Sequence, residues 1–204
     1  MKQIKIYTPK EITELESEHT YEQCVFDGIS IKGMQLSDCV FISCSFVSCD
    51  LTGTKWNGTE FRNCNFSNAN VAGCNFFSST FDTCKLLGVV LSRANSFVGA
   101  IFIHCNFDYA DMRGMDLSGL DLSKSSFFET DLSLANLEKT SFINSRITNI
   151  KLDQALVDMT DFRGAELSGF NLRSESLKGA ILTPQQVVAL AEEIGIHVMD
   201  GDGE

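Results

Sequence analysis

A large apolar residue recurs at every fifth position for most of this chain, and that period restricts the fold more than any other feature of the sequence. We call each of these apolar residues the centre of its repeat. A first series of 14 centres runs from Phe26 to Leu91, and a second series of 18, shifted by one residue, runs from Phe97 to Leu182. A period of five fits neither an amphipathic helix, with a period of about 3.6, nor a half-buried strand, with a period of about two. It indicates a chain that makes a short extended step and then turns a corner.

Glycine marks the corner, because twelve of the 15 glycines lie two residues after a centre. A tight turn at that position asks for a positive φ, which glycine adopts freely. The same position holds residues that tolerate this conformation: Asn63, Asn68, Asn144 and Asn149. Both prolines lie outside the repeats, because stacked coils need every backbone N–H for their ladders.

The position two residues before each centre also faces inwards and is mostly small. Along the chain, Cys24, Cys44, Cys64 and Cys84 are spaced by 20 residues, which is four repeats, so one coil has four sides and the repeats make about eight coils. All eight cysteines occupy this small inward position. We therefore interpret them as small buried side chains rather than as disulfides or a metal site.

Both ends of such a stack need a cover, since an open end invites edge pairing. We predict a cap over residues 1–21, with Ile4 and Ile6 in a short strand, repeats over 22–182, and a C-terminal helix and dimerisation module over 183–204. Thr183 and Gln186 form a predicted capping box, and Gly195 ends the helix. Residues 196–199 are predicted as a short strand. A symmetric end-to-end dimer would use the apolar residues of the helix, which are Val187, Val188, Leu190, Ala191 and Ile194.

Composition excludes several classes of function. The net charge of −11 disfavours nucleic-acid binding but suits a basic partner surface. Neither a membrane span nor an apolar signal segment is present, so we expect one cytoplasmic domain. The three histidines are not gathered by the spacing, and a packed rod has no evident pocket. We therefore expect no catalytic residue, no metal and no cofactor.

The residue before each centre points outwards, and aspartate is frequent there. Asp50, Asp111 and Asp131 fall on one side of the predicted rod, Asp121 falls on another, and Asp116 lies on the side between them. Each such aspartate can be an ordinary solvated residue, but the array could present charge to a groove built for phosphates. The predicted partner-binding residues are Asp50, Asp108, Asp111, Asp116, Asp121 and Asp131.

The repeat resembles the pentapeptide-repeat family, whose consensus is A(D/N)LXX. The closest matches are residues 110–114 (Ala-Asp-Met-Arg-Gly) and 135–139 (Ala-Asn-Leu-Glu-Lys), and residues 130–132 and 160–164 also fit. The resemblance covers about residues 22–182. It implies an all-β fold, a right-handed quadrilateral β-helix, here followed by a C-terminal α-helix.

The apolar helix followed by Gly-Ile-x-Val is similar to the C-termini of the Qnr and MfpA proteins. That resemblance implies a rod-shaped dimer that binds DNA gyrase or topoisomerase IV by mimicking duplex DNA and shields it from quinolones or peptide toxins, as in quinolone resistance. Only one extra residue, within 92–96, interrupts the frame, so the chain is more like the loop-poor MfpA branch. Two alternatives stay open: a structural scaffold for another protein, and an immunity factor of a toxin producer with the same target.

Overall fold

The computed structural model describes residues 5–6, 15–169 and 177–199 and shows a β-solenoid of about seven turns with one C-terminal α-helix. The sequence predicts about eight coils, and residues 170–176, which belong to the last of them, lie outside the described ranges. The strands are two or three residues long and pair in parallel. They are β1 Lys5–Ile6, β2 Thr20–Glu22, β3 Cys24–Val25, β4 Val40–Ile42, β5 Glu60–Arg62, β6 Thr80–Asp82, β7 Ile101–Ile103, β8 Ser126–Phe128, β9 Arg146–Thr148 and β10 Glu166–Ser168, followed by the helix α1 Pro184–Glu193.

Each turn has four sides, as the cysteine spacing predicts, because paired residues are 20 positions apart, or 21 across the insertion. We number the sides in chain order and define them by their outward columns. Side 1 carries Ser30, Asp50, Asn70, Val90, Asp111, Asp131 and Lys151; side 2 carries Gln35, Lys55, Asn75, Ser96, Asp116, Asn136 and Leu156. Side 3 carries β2 and β4–β7, then Asp121, Ser141, Asp161 and Ile181; side 4 carries β3, Ser45, Asn65, Lys85, Asn106 and β8–β10.

The centres form stacked columns inside the rod. On side 4, the rings of Phe26 and Phe46 stack with centroids 4.8 Å apart, and Phe46 and Phe66 repeat that distance. Trp56 is completely buried and meets Phe41 edge-on at 5.5 Å. A ring separation near 4.8 Å equals the spacing between neighbouring strands, so each aromatic centre packs on the one a turn away.

The small residues at the inward position link one turn to the next. The hydroxyl of Thr59 donates to the carbonyl of Leu36 at 2.7 Å, and the thiol of Cys74 donates to the carbonyl of Leu51 at 2.9 Å. In both cases the donor lies 23 residues after the acceptor. All eight cysteines are buried thiols outside any disulfide, as predicted. Burial raises the pKa of the Cys74 thiol to about 12, so it is protonated and able to donate at neutral pH.

The two ends are covered in different ways. At the N-terminal end, β1 pairs in parallel with β3 and adds one more strand to side 4, whereas Ile4 and residues 7–14 lie outside the described residues. At the C-terminal end, the predicted capping box is present, since Thr183 and Gln186 exchange hydrogen bonds. The predicted strand over 196–199 is wrong, because these residues make no ladder in the described chain. A strand requires a neighbouring edge, which the sequence pattern alone does not supply.

Candidate protein-interaction surface

The outward aspartates are held by the turns in which they lie. The carboxylate of Asp116 accepts a hydrogen bond from the backbone N–H of Ser118 at 3.1 Å, and that of Asp121 accepts one from Ser123 at 3.0 Å. Hydrogen bonds from these serines favour the charged carboxylates and hold the pKa of Asp116 and the pKa of Asp121 below their ordinary values. Both residues therefore carry a full negative charge near neutral pH.

Side 1 carries three of the predicted partner-binding aspartates in one column: Asp50, Asp111 and Asp131. The guanidinium of Arg113 binds both oxygens of Asp111, at 3.0 and 2.6 Å, and this contact holds the pKa of Asp111 below its ordinary value. The ammonium of Lys151 lies 3.8 Å from Asp131. Cations thus neutralise much of the carboxylate charge on this half of side 1, which the column of aspartates alone does not reveal.

Asp108 is placed differently from its prediction. Its side chain is buried at the edge of side 4, where it accepts hydrogen bonds from the N–H of Phe128 at 2.8 Å and the hydroxyl of Ser126 at 2.5 Å. Arg146 completes the contact with a nitrogen 3.1 Å from the carboxylate. Asp108 therefore joins successive turns of the rod, and its carboxylate is engaged in contacts within the chain. Its burial depends on residues 18 to 38 positions away, which spacing alone does not indicate.

Asp116 and Asp121 are two of several exposed acidic residues in this part of the rod, which also include Glu129 and Glu138. Asp116 lies on side 2 and Asp121 on side 3, and neither makes an ion pair among the described residues. The six predicted aspartates thus spread over all four sides. These two aspartates place exposed charge on the two sides that follow side 1, and nearby Lys124 partly offsets the charge of Asp121.

Sequence reasoning missed an exposed apolar patch on sides 2 and 3. Phe77 and Val98 are 49% and 67% exposed on side 2, and Ile101 and Ile103 are 54% and 38% exposed on side 3. These residues stand directly before or after a centre, where the repeat otherwise places polar side chains. Apolar residues at outward positions were the signal that could have found them.

The predicted dimer residues of α1 separate into two groups. Val187, Val188 and Ile194 are exposed, whereas Leu190 is buried against the last turn of the rod and Ala191 is half-buried. Leu190 therefore seals the end of its own chain. The exposed group continues into Ile196, Val198 and Met199, which are also exposed.

The described residues offer little for metal chemistry. Within them, no group of three or more His, Cys, Asp or Glu side chains is arranged to hold a metal ion. In the same ranges, no helix has the length and apolar character that crossing a membrane requires.

Comparison with protein families identifies two matching stretches. The pentapeptide repeat region matches residues 17–91, and pentapeptide repeats in eight copies match residues 96–133. The gap between the two matches coincides with the one-residue insertion. A comparison with curated proteins finds no match.

Among solved structures, full-length QnrB1, a plasmid-mediated fluoroquinolone resistance protein, is similar with a TM-score of 0.69 and 18% identity, covering 94% of this chain and 95% of QnrB1. A trypsin-treated QnrB1 gives a TM-score of 0.55 and 21% identity, covering 90% and 100%. HetL, a pentapeptide repeat protein from the cyanobacterium Nostoc involved in regulating heterocyst differentiation, gives 0.32 and 19%, covering 81% and 90%. At these identities the likeness to QnrB1 is one of fold.

Proposed function

The chain belongs to the pentapeptide-repeat family, and from that premise we propose that it is a non-enzymatic protein that binds DNA gyrase or topoisomerase IV in place of duplex DNA. The observation that carries the proposal is the pair of exposed carboxylates of Asp116 and Asp121, which make no ion pair among the described residues, on a chain of net charge −11. A groove that normally holds DNA is basic and attracts such a surface. The fold that the chain shares with a fluoroquinolone resistance protein supports the choice of partner. Binding would take place in the cytoplasm and would protect the enzyme from quinolones or toxins, or modulate its activity.

The test is a supercoiling assay with purified gyrase and with topoisomerase IV, with and without a fluoroquinolone. We expect the protein to inhibit the enzyme or to protect it from the drug, and the double variant Asp116→Lys/Asp121→Lys to lose that effect. The double variant Asp153→Lys/Asp158→Lys is the matched control, because both residues are exposed on later turns and the change in charge is the same. Failure of the unaltered protein to bind, inhibit or protect either enzyme would reject the proposal.

We further propose that the protein is a homodimer joined through the exposed residues of α1 and the segment that follows it. An apolar surface made by Val187, Val188 and Ile194 at the end of a rod is a surface that a second copy can bury. The exposed residues after Gly195 would extend the same contact.

A second candidate function is a scaffold that binds a protein other than a topoisomerase. The exposed patch of Phe77, Val98, Ile101 and Ile103 favours it, because a mimic of DNA needs charge rather than apolar surface. Substituting Val98 by serine separates the two: a scaffold loses its partner, whereas topoisomerase binding through carboxylates persists.

A further inference from the structure

The ladder between successive turns is interrupted next to the one-residue insertion. On side 2, Ser96 pairs with the preceding turn but not with Asp116 in the following one. On side 3, β7 pairs with β6 and is the last strand of its sheet, so it is not paired with Asp121. We call this interruption the seam, with an upper lip of residues 96–104 and a lower lip of residues 116–123. Side 4 remains paired past it, which keeps the rod continuous.

Both lips of the seam carry backbone groups without a backbone partner. The N–H groups of Phe97 and Gly99 donate to no carbonyl among the described residues, and the carbonyls of Asp116 and Ser118 accept no backbone N–H there. The equivalent groups of the adjacent turns all make ladder bonds. Unpaired donors and acceptors therefore line the opening and are available to a ligand.

The sequence explains why the ladder opens at this point. The extra residue is accommodated by a 3-10 turn at Leu91–Arg93, which changes the path of the chain before side 2. One turn later, the inward position holds Met115 on side 2 and Leu120 on side 3, where other turns mostly have a small residue. The next turn has Thr140 in the place of Leu120, and its hydroxyl donates to the turn above. A large apolar side chain cannot make that bond, and the ladder is open where Met115 and Leu120 occupy the inward positions of two successive sides.

A cleft of about 450 Å³ occupies the side 2 end of the seam. Phe97, Met115 and Leu120 provide its apolar walls, and Asp116 stands at its edge. Arg113 also lines it, but the carboxylate of Asp111 already binds this guanidinium. The opening thus combines an apolar wall, an uncompensated carboxylate and free backbone carbonyls.

We propose that the seam is a docking site for an arginine side chain of a partner protein. The apolar stem of an arginine fits against the walls of the cleft, and its guanidinium offers five N–H donors to the carboxylate of Asp116 and the carbonyls of Asp116 and Ser118. The free N–H groups of the upper lip can donate to main-chain carbonyls of the same partner. Val98, which is 67% exposed beside the cleft, supplies apolar contact around this anchor. The site goes beyond mimicry of DNA, since it recognises a single side chain by shape as well as charge.

The test is an NMR titration of the isotopically labelled full chain with N-acetyl-arginine amide. We expect saturable shifts at the amides of Phe97 and Gly99 and at the methyl group of Met115. N-acetyl-citrulline amide, which keeps the shape but lacks the charge, should bind at least about fivefold more weakly. The variant Asp116→Asn should show a similar loss, and the control Asp153→Asn should bind like the unaltered protein.

A second variant tests the seam itself, because Leu120→Thr restores the small hydrogen-bonding residue of the next turn. We expect it to fold, with intact Trp56 fluorescence, and to bind the arginine probe more weakly as the lips close. Shifts spread evenly over surface carboxylates, equal binding of the citrulline probe, or undiminished binding by Asp116→Asn would each overturn the proposal. None of these readouts involves a topoisomerase, so its failure is distinguishable from failure of the proposed function.

Discussion

Hydroxyl and thiol groups at the inward positions fulfil two requirements with one small side chain. They fill the space between the centres, and they satisfy backbone carbonyls that face the interior, as Thr160 does for Leu137 at 2.7 Å. A buried carbonyl without a partner is costly, whereas one that is bonded is nearly neutral. This explains why cysteine, serine and threonine share these positions with alanine, although alanine can only fill space.

Removing one such hydroxyl should destabilise the fold. Thr59→Val keeps the shape of the side chain but deletes the only hydrogen bond that the carbonyl of Leu36 receives from the described residues. We expect the free energy of unfolding to fall by about 1–3 kcal/mol. Urea unfolding followed by the fluorescence of Trp56 measures the change. Thr80→Val is the control, because Thr80 lies at an outward position; an equal loss in both variants would contradict this explanation.

The buried thiols should make stability depend on alkaline pH. Burial raises the pKa of Cys49, of Cys74 and of Cys105 from the ordinary value of 9.0 to about 12. The unfolded chain therefore loses these protons first. Their contribution to stability is complete below pH 9.0 and is lost as the pH rises towards 12. Unfolding curves from pH 7 to 11 should show a decline that is shallower in a variant with serine at these three positions, and identical slopes would refute the idea.

At the scale of secondary-structure elements, α1 covers the C-terminal end of the rod in place of a further turn of the solenoid. The side-chain amide of Gln186 donates to the carbonyl of Phe162 at 2.7 Å and to that of Ala165 at 2.8 Å. Leu190 covers the apolar centres beneath the helix. One helix thus supplies both the hydrogen bonds and the apolar cover that a further coil would have provided.

Gln186→Ala should therefore weaken the C-terminal end of the rod. The variant removes a donor from the partly buried carbonyls of Phe162 and Ala165, although that of Phe162 keeps the N–H of Ala165. It also breaks the capping box, so we expect a loss of about 1–3 kcal/mol in the free energy of unfolding. Gln185→Ala, an exposed neighbour on the same helix, should change it by less than about 0.5 kcal/mol. Chemical denaturation of both variants makes the comparison. A Gln186→Ala protein as stable as the control would show that α1 does not cap the stack.

The seam is an opening in the ladder between two neighbouring turns. Amide hydrogens of Phe97 and Gly99 lack ladder acceptors, so we expect them to exchange with solvent faster than those of Phe76 and Ser78, their equivalents one turn earlier. Hydrogen exchange followed by NMR gives the comparison within one sample. Equal protection of the two turns would mean that the ladder is closed in solution.

At the scale of the whole molecule, the rod leaves its sides and its ends for interaction. The interior is filled by stacked centres, so binding depends on which outward positions depart from the polar pattern of the repeat. Such departures include the seam, the neighbouring apolar patch and the exposed face of α1. They are separated along one axis, which allows a dimer at one end and a partner along the sides.

The dimer proposal gives a prediction at this scale. Val188→Asp places a charge in the exposed face of α1, and we expect it to convert the dimer to a folded monomer in sedimentation or light-scattering experiments. Leu190→Asp is unsuitable, because Leu190 is buried in its own chain and its substitution would unfold the cap. Val98→Asp controls for the general effect of a charge at an exposed apolar position. A Val188→Asp protein that stays dimeric would remove α1 from the interface.

The sequence by itself determined the solenoid, its four sides, the buried cysteines and the capped helix. These features depend on neighbours close in sequence or on a strict period, which the order of residues records directly. Only the tertiary structure decided that Asp108 is buried, that Arg113 and Lys151 pair with Asp111 and Asp131, that Leu190 faces inwards and that the ladder opens between residues 96–104 and 116–123. Each of these outcomes depends on residues from different turns that come within a few ångströms of one another. Their size and charge decide which contacts form, and the repeat pattern does not specify which residues meet.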